Sequence, residues 1–466
     1  MEANMAAPMK KIPLEVLRMI LNRVSKRDLQ TLRLVSPLLN HEASTILFRR
    51  VFASAHEKDL DVLSAIANHP TLCRHPREIV YAGVFFSKEH PDEKDLKDPQ
   101  YQNGLKKQNR MIESGLDVDI ITSALVKLPS IRKVTFTNHW CRKFSNPPLT
   151  KDYPTCHMRP AGNLASADKS EILFDHGFKV MCRALSISGH KVEELLVHYF
   201  SGKDDGQHDY TEPWNSGLYF RSLPHGDGEI ERACNVFRNM KKIELSLTYT
   251  DDSHLDEFWE DRCAGLAKAL GAATELRELT LNFNHESLED IWPNFTDNKL
   301  PLTAAITAHP LPRLHTLRIR RKYMQQEELI ALLKPLCGTL QTLELTSIYL
   351  INGSWRETAM ELHKLEWRGL ERTEFYNLRE GYGDNSPEKG EDYEDGYVGW
   401  DGPHDYDSRK DCVNCLGVED CMRDGDPNLI SKVDTDSVKE PQSRPTDDWC
   451  EFCCDFDYDA WITYKE

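Results

Sequence analysis

The sequence predicts an α/β fold in three parts, on three observations. Apolar residues recur at helical spacing over 12–50, short apolar runs sharing a Leu-x-x-Leu-x-Leu core recur between 77 and 375, and the charge is lopsided. The parts are a three-helix segment at 10–52, an irregular array of strand and helix units at 53–380, and an acidic, cysteine-containing tail at 381–466. With 466 residues, 40% apolar and 29% charged, the chain is long enough for two or three domains with cores. The formal charge is −17, and the tail, with 24 acids against 8 bases, carries −16 of it. The body is nearly neutral.

The N-terminal segment reads as three short helices. Pro13 suits a first helical turn, where its missing N–H would lack a partner anyway, and Glu15 complements the positive helix end. Leu17, Ile20, Leu21 and Val24 follow as one apolar stripe. Ser25 and Asp28, three apart, form a capping-box pattern that opens a second helix through Leu29, Leu32, Leu34, Val35, Leu38 and Leu39. A third helix is expected over 40–50, with Ala43, Ile46 and Leu47 inward. A unit this small buries little surface and is expected to gain stability from a neighbour.

The order Pro-x-Glu, apolar stripe, Ser-x-x-Asp-Leu, then Leu-Arg-Leu-Val-Ser over 12–52 resembles the F-box. The resemblance implies docking on the Skp linker subunit, and through it a cullin, in an SCF-type ubiquitin ligase. The rest of the chain would present a protein substrate. Carried over by position, Pro13, Leu14, Leu17, Ile20, Leu21, Leu29, Leu32 and Val35 would form or support the linker surface. Two positions depart from the family pattern: Ile12 replaces the usual Leu, and Pro37 follows Ser36 where a basic residue is usual. Pro37 removes a donor and disfavours helical geometry at Ser36, so the second helix is expected to end early. The alternative is a non-catalytic repeat scaffold whose N-terminal helices only cap the array.

From about residue 57 a helix followed by a short β-rich run recurs, beginning with a helix at 60–68 stopped by His69-Pro70. The runs lie at 77–81, 131–136, 192–199, 241–247, 276–283, 314–319, 340–345 and 370–375. Three share one core: Leu276, Leu279, Leu281; Leu314, Leu317, Ile319; and Leu340, Leu343, Leu345. Such units cannot bury their apolar faces singly, so they must stack. The pattern looks like a leucine-rich-repeat-type solenoid, with long insertions at 89–109, 142–168 and 202–228.

Loops leaving a parallel stack can vary without disturbing its core, which suits substrate capture. Candidate contacts beyond the strands are His139, Trp140, His198, Tyr199, Phe200, Tyr249, Asn284, Arg320, Arg321 and Tyr323. Each reads equally well as a side chain that caps or fills the array. Arg318, Arg320, Arg321 and Lys322 form the densest basic group of this region. Three roles stand open for it: receiving an acidic or phosphorylated substrate segment, forming a solvated sheet edge that discourages pairing, or receiving the acidic tail.

The tail is rich in Asp, Glu, Gly and Tyr, a composition that favours a flexible segment. Its pairs Cys412-x-x-Cys415 and Cys450-x-x-Cys453 could supply four thiolates to a structural zinc, although 34 residues separate them. Unliganded thiols are the competing reading, and no other cofactor is expected.

Other classes are disfavoured. No Walker loop, Gly-x-Ser-x-Gly elbow, His-Glu-x-x-His or dinucleotide fingerprint occurs, so no enzyme is expected. The body shows no cationic excess of the kind nucleic-acid binding needs. The apolar stretch around 79–86 falls far short of a membrane span, and no apolar leader precedes the first helix. A cytoplasmic or nuclear location is therefore expected, with the cysteines reduced or metal-bound.

Overall fold

The computed structural model describes residues 12–82, 99–137, 171–198, 217–219, 222–249, 258–285, 311–376 and 378–380. They fall into two compact units, one running to Val192 and the other beginning at Glu193.

The first unit opens with helices α1 (Leu14–Leu21), α2 (Lys26–Leu32) and α3 (Pro37–Leu47). Pro13 sits in extended backbone at the start of α1, and the Ser25 hydroxyl accepts from the Asp28 amide at 3.2 Å to cap α2. The second helix ends at Leu32 and the third begins at Pro37, three residues before the expected 40. Proline fixes both facts. Ser36 is held extended, its Oγ accepts from the Leu39 amide at 3.3 Å, and Pro37 starts the next helix where no N–H is needed. Residues 33–35 thereby become a turn.

Strand β1 (Arg50–Ala53) follows α3 directly, where helix was expected to continue to 50, and pairs in parallel with β2 (Glu78–Ala82). Between them runs α4 (Glu57–Asn68), ended before Pro70. Helices α5 (Pro99–Ser114) and α6 (Leu116–Lys127) lead to β3 (Lys133–Thr137), which pairs with β2, and α7 (Glu171–Ser188) follows. Part of the segment expected as an insertion at 89–109 is thus helix. Val51, Ile79 and Val134 are in register across the three strands, and all are buried.

The second unit contains β4 (Glu194–His198), β5 (Leu218–Tyr219), α8 (Asp227–Phe237), β6 (Lys242–Tyr249), α9 (Trp259–Ala272), β7 (Glu278–His285) and β8 (Thr316–Met324). It continues through α10 (Gln326–Leu333), β9 (Thr342–Leu350), α11 (Trp355–His363), β10 (Arg372–Tyr376) and β11 (Arg379–Glu380). Strands run in the order β4-β6-β7-β8-β9-β10, with β5 beside β6 and β11 beside β9. Every pairing described is parallel. All eight predicted β runs coincide with strands.

One backbone step repeats at the entrances of β2, β3 and of β6 through β10. The amides of Arg277 and Glu278 both donate to the Lys241 carbonyl, at 2.8 and 3.0 Å, so both oxygen lone pairs are used. The same pair of bonds joins 315–316 to Arg277, 341–342 to His315 and 371–372 to Gln341, and in the first unit 77–78 to Arg49 and 132–133 to Arg77. Just before or within each strand the Leu-x-x-Leu-x-Leu positions are buried: Leu276, Leu279 and Leu281, then Leu314, Leu317 and Ile319, then Leu340, Leu343 and Leu345. Polar residues take the other side of each strand, as two-residue periodicity requires.

Strands β8 and β9 share one irregularity. Arg321 (φ 57°) and Ser347 (φ 53°) are left-handed, and Arg320 pairs with Thr346 while Lys322 pairs with Ile348. Each strand therefore carries an extra residue at the same level, and register survives. The cost is about 1–2 kcal/mol at each non-glycine residue. The step also sets Lys322 on the buried side, with its ammonium 5.0 Å from the Phe283 ring centroid.

Candidate docking surface

The N-terminal helices are apolar on two sides. Inward, Leu17 and Leu21 of α1, Leu29 of α2, and Leu39, Ala43 and Leu47 of α3 are buried. Arg18 locks α1 to α3: its Nε donates to the buried Glu42 carboxylate at 2.7 Å, which raises the arginine's pKa further. The Arg33 guanidinium lies 5.0 Å from the ring centroid of buried Phe48 and holds the α2–α3 turn against the end of α3.

Outward lies a different set. Val16 and, one helical turn on, Met19 and Ile20 are 44, 70 and 47% exposed, and Leu14 is 36% exposed. Leu34 and Val35 in the proline-set turn are 73 and 63% exposed, and Leu38 at the start of α3 is 44% exposed. Seven of the twelve exposed large apolar side chains among the described residues thus fall between positions 14 and 38. Scattered single exposures are ordinary, whereas such a concentration marks a contact surface.

Residues 9–49 match the F-box domain model. The segment is similar to F-box domains. No curated protein matches the chain. An F-box implies an adaptor that binds the Skp linker, and through it the cullin, of an SCF-type ligase; F-box proteins are in general non-catalytic.

Of the eight positions carried over for the linker, Pro13, Leu14, Ile20 and Val35 are exposed and Leu32 is half-buried. Leu17, Leu21 and Leu29 are at most 3% exposed and form the interior of the helical segment. Sequence reasoning missed Val16, Met19, Leu34 and Leu38 as surface residues. The signal was present: a helix with two apolar stripes has one too many for a single core.

The other candidates are dispersed. His139, Trp140, Tyr199 and Phe200 lie outside the described residues, as do Cys412, Cys415, Cys450 and Cys453 with the rest of the tail. His198, Tyr249 and Asn284 lie at or next to the ends of β4, β6 and β7. Arg320, Arg321 and Tyr323 are all in β8, which is flanked on both sides by β7 and β9. The sheet-edge role for the basic group is therefore wrong: β8 is interior. Arg318 and Arg320 instead converge on Glu344 of β9, at 2.9 and 2.5 Å, and the Tyr323 and Tyr349 rings stack at 4.5 Å.

Among the described residues no cluster of three or more His, Cys, Asp or Glu could hold a metal ion. No helix among them is long and apolar enough to cross a membrane.

Proposed function

We propose that this chain is a substrate-recognition adaptor of an SCF-type ubiquitin ligase. The F-box (10–52) docks on the linker, and the strand–helix array (53–380), read as a degenerate leucine-rich-repeat-like solenoid, holds a protein substrate. The observation that carries this reading is the outward apolar set from Leu14 to Leu38, left uncovered while its neighbours Leu17, Leu21 and Leu29 are buried. Covering it removes apolar area from water at roughly 25 cal/mol per Å². The mechanism is proximity: a tethered substrate meets the activated conjugate at high effective concentration, and the covalent chemistry belongs to other subunits. The division of labour gives no group of this chain a catalytic role, and the adaptor works in cytoplasm or nucleus.

The capping alternative draws on the buried half of the same helices, since Leu39, Ala43 and Leu47 are integral to the first unit and β1 follows α3 at once. Capping and docking use opposite sides. Size-exclusion co-elution of the full-length chain with purified linker separates them: Ile20→Glu with Val35→Glu should abolish co-elution while leaving the circular-dichroism spectrum unchanged. Failure of the unaltered chain to co-elute would leave only the cap, and co-elution retained by the variant would move docking off this face.

A further inference from the structure

The first unit gathers positive charge at the edge where its strands begin. The connections that leave its helices for that edge, 48–49, 69–77, 128–132 and 189–192, hold four arginines, one lysine and no Asp or Glu. The strands' first residues add one more positive charge, because Glu78 is shared by Arg50 at 2.7 Å and Lys133 at 3.2 Å. Helix C-termini at this edge, those of α3, α4, α6 and α7, offer about half a negative charge each. They offset only about two of the six positive charges, and only within their last turns.

Parallel pairing sets three of the arginines in a row. Arg49, Arg77 and Arg132 each stand one residue ahead of β1, β2 and β3. The Arg77 amide donates to the Arg49 carbonyl at 2.7 Å, and the Arg132 amide to the Arg77 carbonyl at 2.8 Å. Their α-carbons therefore follow one another at strand spacing and span about 10 Å. All three are exposed, as is Arg74 in the 3₁₀ turn (Leu72–Arg74) before β2. Arg132 donates to the carbonyls of Pro129 and Ile131, at 3.1 and 2.8 Å. Arg49, Arg74 and Arg77 pair with no carboxylate among the described residues, where the carboxylate at this level, Glu78, already serves Arg50 and Lys133. His75, between them, registers the field: burial, His41, Arg33 and Arg77 push its pKa down, and only Glu42 pulls the other way. Like charges on adjacent strands repel, a cost that an anionic partner removes.

We propose that Arg49, Arg77 and Arg132, with Arg74, bind an acidic peptide segment of the protein substrate, extended across the strand entrances. An extended peptide sets alternate side chains about 7 Å apart on one side, so acids at three alternate positions span about 13 Å, within reach of arginines rooted along 10 Å. Guanidinium–carboxylate bonds are the strong, directional kind. A nucleic acid fits less well: the four connections expose no Phe, Tyr or Trp on which bases could stack, and a chain of charge −17 repels a long polyanion. The proposal rests on the reading of the array as substrate holder and names the substrate's chemistry. Linker co-elution reads the adaptor role and peptide binding reads this row, so each can fail alone.

The test is fluorescence anisotropy of a fluorescein-labelled deca-glutamate peptide titrated with the full-length chain at about 0.1 M salt, where screening acts over about 10 Å. Arg74→Glu with Arg77→Glu should weaken binding ~10-fold or more. Arg356→Glu with Arg368→Glu, the same charge change at exposed arginines of the second unit, should weaken it less than ~2-fold. In the unaltered chain, saturating peptide should slow phenylglyoxal labelling of Arg49, Arg74 and Arg77 by ~3-fold or more and leave Arg356 unchanged, a readout independent of how any variant folds. No binding, equal weakening by the two variant pairs, or no protection of the three arginines would overturn the proposal. So would tighter binding of an oligothymidylate of matching charge, which would assign the row to nucleic acid.

Discussion

Glu78 shows how much one buried carboxylate organises. It lies 5% exposed in β2 and accepts from Arg50 Nε of β1 at 2.7 Å, and from Thr135 Oγ1 at 2.6 Å and Lys133 Nζ at 3.2 Å, both of β3. Burial pushes its pKa up, yet Arg50, Thr135 and Lys133 together bring it below the ordinary carboxylate value. The folded state thus favours the anion. Its contribution is present above the unfolded pKa near ~4.3 and is lost as pH falls through the lower folded value. Glu78→Gln is expected to cost about 3 kcal/mol at pH 7 in urea unfolding, with the deficit shrinking near pH 3. Lys322 is the opposite case. Burial lowers its pKa to about 8, only partly offset by Glu328 and Cys263. Between about pH 8 and ~10.4 the unfolded chain binds more protons than the folded one, so stability rises with pH there. Lys322→Met should remove that rise and stabilise the second unit at pH 7 by up to ~2 kcal/mol. Neither environment was legible in the sequence. Glu78 meets Lys133 and Thr135 only once β2 and β3 pair, and the basic group at 318–322 divides between two faces only once the left-handed residue at 321 is known.

At the scale of elements, the contact of α7 with β2 depends on one missing side chain. A Cβ on Gly177 would collide with the ring of buried Tyr81, itself packed near Phe136 at 6.1 Å between ring centroids. Gly177→Ala is therefore expected to destabilise the first unit by about 1–3 kcal/mol, read as a lower urea midpoint. A second tie joins the same helix to α6: His176 Nε2 and the fully buried Asp117 carboxylate lie 2.6 Å apart. Elements with strong periodicity were legible, and every predicted β run is a strand. Two kinds of element were not. β1 has four residues, too few for alternation to stand out from the helical pattern before it. α5, in PQYQNGLKKQNRMIES, has a composition that reads as loop, and tertiary packing decides it. The boundary between α2 and α3 was half-legible, because Pro37 announced a break but equally signals a start. Ser36→Ala, which removes the cap of α3, should cost about 1 kcal/mol.

At the scale of the molecule, the two sides of the N-terminal helices decide the account. Their inner leucines join them to a unit built of parallel strands, and their outer residues are exposed. The sequence carried the motif and its family resemblance, but periodicity alone could not say which stripe faces out. Leu17 and Ile20 look alike on a helical wheel, and only packing against α3 separates them. The distinction has a measurable consequence. Ile20→Glu should weaken linker binding by about 30-fold or more with little effect on folding, whereas Leu17→Glu should unfold the segment and lose binding indirectly. The most direct test is hydrogen exchange of the full-length chain with and without purified linker. Protection is expected to concentrate at residues 14–20 and 34–38, around Met19, Ile20, Leu34 and Val35. Binding that leaves those amides unchanged, or no binding at all, would contradict the docking account.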